Sequence, residues 1–205
     1  MKEKYVIYTA KLFSMLFAPF YFPVLAFLIL FIFSYMKLLP LNYKLVILGI
    51  VYIFTVALPL LAIYTFRQMN GLHRRQMTKR EMRMVPYFIF IMCYGCCLYI
   101  MGRMHMPHFM ISVLFGAFVL QVICAFINNW IRISTHSAAA GAMVGALLAF
   151  SIIFSFNPIW WLCLTLLIAG CVGSSRLILR QHLLHEVNIG MAIGLTCGFI
   201  CILVF

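Results

Sequence analysis

Only three acids, Glu3, Glu81 and Glu186, stand among 15 Lys and Arg and six His. Polar groups so scarce carry chemistry only where they cluster, and three stretches cluster them. Residues 67–86 hold Arg67, Arg74, Arg75, Lys79, Arg80 and Arg83 beside Glu81. Residues 128–137 bring together Arg132, Ser134, Thr135 and His136. Residues 173–188 contain Ser175, Arg176, Arg180, His182, His185 and Glu186. Imidazoles, one carboxylate and several guanidinium groups are what phosphoryl transfer needs: a nucleophile, a proton donor and a cationic clamp for the equatorial oxygens. Three acids cannot build the carboxylate-rich shell of a magnesium site. A histidine-only metal site from His136, His182 and His185 is the alternative, and the phosphoryl-transfer set itself requires neither metal nor cofactor.

Spacing adds two expectations. Glu186 follows His182 by four residues, which on one helix face sets their Cβ atoms about 5–6 Å apart, within reach of a carboxylate–imidazole hydrogen bond. Arg176 precedes His182 by six residues, nearly opposite on an unbroken helix, so a break between them is required if both serve one site.

The elements that position these groups must lie in a membrane. The chain of 205 residues is 66% hydrophobic and 9% charged, against roughly half and a quarter in soluble domains. Its apolar runs are continuous over about 20 residues, the length of a spanning helix, and lack the alternation of barrel strands. The fold class is therefore all-α, an integral membrane bundle of six to seven transmembrane helices forming one domain, 1–205. Candidate spans cover residues 12–36, 45–66, 86–101, 107–130, 137–156, 158–172 and 187–205. The third, sixth and seventh are short enough that one could be a half-span. Pro86, Pro107 and Pro158 fit helix starts, whereas Pro19, Pro23 and Pro59 predict kinks. Small residues from Ala138 to Gly145 predict a close-packing helix face.

All eight cysteines sit in apolar runs, including Cys93 and Cys96 of a C-x-x-C, and read as packing residues. Nucleic acid is excluded as a partner, because the positive charge is confined to short loops between spans without a binding motif. That charge suits anionic lipid or phosphate. With seven spans, two crossings separate each polar cluster from the next, so all three converge on one face.

The third cluster carries a recognisable pattern. Ser175, Arg176, five residues, His182, three residues and Glu186 resemble the S-R-x5-H-x3-D motif of the type 2 phosphatidic acid phosphatase superfamily, with Glu for Asp. Ile133, Ser134, Thr135 and His136 are similar to its P-S-G-H motif without the Pro and Gly. Lys79 to Pro86 stands nearest to its K-x6-R-P motif, with a Lys79-to-Arg83 gap of four. The resemblance implies that His182 attacks phosphorus and Glu186 holds its imidazole in the reactive tautomer. It further implies that His136 is the general acid, and that Arg176, Ser134, Thr135, Ser175, Arg83 and Lys79 bind phosphate. It thus implies a metal-independent membrane phosphatase acting on a lipid phosphate or polyprenyl diphosphate through a phosphohistidine. The rival is a catalytically silent relative that binds lipid or acts as a scaffold. Short loops favour a bacterial inner membrane. Positive charge alone would put the clusters in the cytoplasm, but the resemblance implies the periplasmic side, which we adopt.

Overall fold

The computed structural model describes residues 2–33, 35–69 and 80–204, with side chains for 4–33, 36–69 and 84–204. Among the described residues the regular structure is all helical, in nine α-helices. They are α1 (Lys2–Leu16), α2 (Phe22–Phe33), α3 (Leu41–Tyr52), α4 (Leu58–Met69), α5 (Arg80–Arg103), α6 (His108–Ile127), α7 (Thr135–Ile153), α8 (Ile159–Ile178) and α9 (Leu184–Val204). They form seven candidate membrane spans, since α1 with α2, and α3 with α4, each run together as one. The three spans expected to be short are full length at 20, 20 and 21 residues, about what ~30 Å of hydrocarbon requires at 1.5 Å per residue. A half-span is therefore not needed.

Proline chemistry explains the two interruptions. Helix α1 stops before Phe17 and Ala18, and Pro19, which lacks an N–H, opens a 3-10 turn (Pro19–Tyr21) that leads into α2. Between α3 and α4 the chain widens into a π-turn (Ile53–Ala57) directly before Pro59. Pro59 can donate no hydrogen bond to the carbonyl of Thr55, and the wide turn accommodates that loss. Pro107 and Pro158 are the N-caps of α6 and α8. Pro86 departs from expectation: it lies inside α5, which begins at Arg80. A proline in the second turn of a helix forfeits only one or two backbone bonds, so the upstream residues continue the helix instead of starting it.

The pairing of α7 with α9 decides the geometry of the site. The two helices run parallel in register, Ser134 against Gly190, Ala138 against Gly194 and Ala142 against Gly198. A Cβ added at Gly190 would stand 2.9 Å from the Ser134 carbonyl oxygen. One at Gly194 would collide with the Ala138 carbonyl, and one at Gly141 with that of Met191. Within lipid, helices gain little from excluding water, so backbone approach over small residues is the means of association. The expected small-residue face of α7 meets a second such face on α9, Gly190, Gly194 and Gly198 at intervals of four. A separate core of Phe27, Phe31, Ile47, Val51, Met101, Met110 and Leu114 ties α2, α3, α5 and α6 together.

Three helices end alike without glycine. His105, Ser155 and Arg180 take positive φ of 52°, 49° and 50° after α5, α7 and α8. At the end of α8, Arg180 N–H donates to Leu177 O at 2.9 Å and Gln181 N–H to Arg176 O at 3.2 Å. This is the Schellman pair of bonds, which normally uses Gly at the left-handed position. It turns the chain back on itself, so His182 returns toward Arg176. That is the break which the six-residue spacing required.

Candidate active site

His182 lies outside the helix on which the sequence placed it. Helix α9 begins at Leu184, so His182 stands two residues ahead, and Glu186 is the third residue of the helix. The pair nevertheless meets. Glu186 Oε2 is 3.0 Å from His182 Nδ1 and accepts the Leu183 backbone N–H at 3.1 Å. The second bond is the return half of a capping box, in which the third residue of the helix satisfies the N-cap amide. One carboxylate oxygen thereby starts the helix and holds the imidazole. With Nδ1–H donated to Glu186, the lone pair is left on Nε2. The two side chains are 22% and 11% exposed, and they form the single ion pair found among the described residues.

Helix α7 presents the second histidine. Ser134 is its N-cap, and Ser134 Oγ accepts the Ser137 N–H at 3.3 Å and shares a 2.9 Å hydrogen bond with Ser137 Oγ. Thr135 and His136 are therefore the first two helical residues, whose amides have no acceptor within the helix. The His136 ring lies within electrostatic range of Arg176 and His182 and close to the backbone of Ser14. The Ser14 carbonyl falls in the last helical turn before the interruption after α1 and lacks its i+4 donor. Nothing in the sequence marked Ser14.

Arg176 is buried to 6% exposure near the end of α8. Its Nη1 donates to Gln181 Oε1, its Nε has no partner, and among the described residues no carboxylate pairs with it. A buried guanidinium without a counter-ion is costly. An anion bound at the site would offset that cost. Gln181, which the sequence did not single out, holds Arg176 across the Schellman turn.

The remaining candidates divide. Thr135, His136, Gln181 and His182 line a common cavity, with Arg132 at the same mouth. Ser134 and Ser175 do not line it. The Ser134 hydroxyl is spent on the α7 cap, and Ser175 Oγ donates to the Val172 carbonyl at 2.7 Å within α8. Both are buried, Ser134 completely, with their hydroxyls engaged within their own helices. Lys79 lies outside the described residues, and so does the side chain of Arg83, whose backbone belongs to α5. His185 is exposed on α9 and is not gathered with His136 and His182, since no group of three or more metal-ligating side chains occurs among the described residues.

Fold and site together define an integral membrane helical bundle with paired histidines, an orienting carboxylate and a buried guanidinium at the ends of three helices. Residues 129–205 match the family model of the PAP2 superfamily, consistent with a member of the type 2 phosphatidic acid phosphatase superfamily. The match begins just before α7 and holds His136, Arg176, His182 and Glu186. No curated protein and no solved structure matches the chain.

Proposed function

We propose that this protein is a membrane phosphatase that removes phosphate from a lipid phosphate or polyprenyl diphosphate through a phosphohistidine. The observation that carries the reading is Arg176, a buried cation lacking an anion, beside His136 and a His182 whose tautomer a carboxylate holds. Superfamily resemblance supports the same assignment.

His182 Nε2 attacks phosphorus, and the P–N bond forms as the bond to the leaving oxygen breaks. The bound phosphate anion holds a proton on His136, which gives it to that oxygen, so the lipid alcohol departs neutral, or the lipid monophosphate with one negative charge fewer. Arg176 and the free amides at the start of α7 offset charge growing on the equatorial oxygens, and Thr135, Arg83 and Lys79 complete the clamp. A water then loses a proton to His136 and attacks phosphorus. The P–N bond breaks with its electron pair returning to Nε2, and inorganic phosphate is released. Glu186 stabilises the positive charge that His182 carries as the phosphoenzyme.

The test is vanadate-sensitive phosphate release by the purified protein over a panel of phosphatidyl and polyprenyl phosphates. His182→Ala is expected to abolish turnover and phosphoenzyme together. His136→Ala is expected to slow both steps and let an acid-labile labelled intermediate persist. Near-normal release by His182→Ala, or none from any lipid phosphate, overturns the reading.

A further inference from the structure

The cavity at the site continues far beyond the groups that would handle phosphate. It has a volume of about 1030 Å³ and is lined by residues of α2, α5, α6, α7, α8 and α9. Along α7 its wall runs from His136 through Ala139, Ala146 and Phe150 to Phe154. Eighteen residues at 1.5 Å each make this about 27 Å, nearly the ~30 Å of bilayer hydrocarbon. Small side chains open it: the alanine run of α7 has one face on α9 and another, Ala139 and Ala146, on the cavity. The polar end holds His136, His182, Gln181 and Arg132. The far end carries two contacting pairs of aromatic rings. Phe150 stacks on Phe154 at 5.7 Å, and Phe33 meets Trp161 edge to face at 4.9 Å.

A tail anchored in one leaflet spans about half the hydrocarbon thickness, ~15 Å, and would leave the aromatic end untouched. We propose that the cavity seats a single hydrocarbon chain longer than a leaflet, so that the lipid phosphate is of the polyprenyl type and not a two-tailed phospholipid. For its head group this rests on the phosphatase reading above. The tail exchanges bilayer for protein, so its burial gains little from leaving water. Selection comes from length, because only a chain that crosses the leaflet midplane reaches the aromatic end.

The far end has its own reporter. The chain has three tryptophans, and Trp130→Phe with Trp160→Phe, both at exposed positions, leaves Trp161 alone. In nanodiscs of unbrominated lipid, a long polyprenyl phosphate brominated at its last isoprene is expected to quench Trp161 saturably, with recovery on adding the unbrominated compound. Terminally brominated geranyl phosphate and phosphatidic acid are expected to leave the emission unchanged. Ala146→Phe on α7 and Ala26→Phe on the facing wall of α2 should each remove the quenching by the long chain. Melting curves establish that the variants fold. Equal quenching by phosphatidic acid, or quenching that survives both variants, overturns the proposal. Because quenching needs no turnover, length-dependent quenching without phosphate release would sink the phosphatase reading alone. Release from short and two-tailed phosphates with no quenching by the long chain would sink the groove alone.

Discussion

At the scale of single residues, Glu186 carries two loads on one oxygen, the Leu183 amide and the His182 ring. Different substitutions separate them. Glu186→Gln keeps an oxygen that can accept the amide, but it loses the charge that stabilises a positive imidazole. Its melting temperature is expected to stay near that of the parent while the phosphate-release rate falls by about two orders of magnitude or more. Glu186→Asp should retain part of the rate. Glu186→Ala loses the cap as well and should be destabilised further by ~1 kcal/mol. Equal rates for Gln and Glu would remove the carboxylate from the mechanism. The four-residue spacing made this pair legible. Its geometry was not, because spacing assumed a continuous helix, whereas the carboxylate itself sets the helix boundary after His182.

At the scale of elements, the contact of α7 with α9 brings the two histidines together. Its glycines leave no room for a side chain: Gly194 lies directly on the Ala138 carbonyl. Gly194→Val is therefore expected to force the helices apart, at a cost of ~1–3 kcal/mol or more. The measurements are a lowered melting temperature in detergent and loss of phosphate release, with His182 and His136 themselves intact. A fully active, equally stable Val variant would show that this contact does not position the site. The alanine–glycine run of α7 was visible as a packing face, and the Gly190, Gly194, Gly198 repeat offers the same signal on α9. The turn after α8 was not visible, because Arg180 occupies a left-handed position where the usual sequence marker is Gly.

At the scale of the whole molecule, seven spans carry the chain from one face to the other, and parity sets the site on the face of the N-terminus. Charge and chemistry disagree about which face that is. Twelve of the 15 Lys and Arg fall on the site's side by parity, and eight remain after removing Lys79, Arg83, Arg132 and Arg176, against Lys37, Lys44 and Arg103 opposite. The positive-inside rule reads this as cytoplasmic. Groups held for phosphate or headgroups distort such a count, and Arg176, buried among helix ends, is not a free loop charge. We expect the outer face. Leu183 is 62% exposed at the site, so Leu183→Cys, in a chain cleared of its eight cysteines, should react with an impermeant maleimide in intact cells. Reaction only after lysis would reverse the orientation.

Sequence alone determined the helical membrane class and a count of six to seven spans, because hydropathy depends only on the order of residues along the chain. The structure resolved the count at seven candidate spans, and with it the parity that puts the second and third clusters on one face. Residue type gathered His136, Arg176, His182 and Glu186 into clusters, and the superfamily resemblance singled them out within those clusters. The tertiary structure decided what those groups touch. Ser134 and Ser175 turned out to serve their own helices, because hydroxyls near helix backbones bond locally before they meet a ligand. Gln181 entered the site through a turn, from a position five residues away from its partner Arg176, and the backbone of Ser14 comes close to His136 from 122 residues away. The cavity itself is a property of six helices at once, open where Ala139 and Ala146 face it, and no local pattern encodes a space between elements.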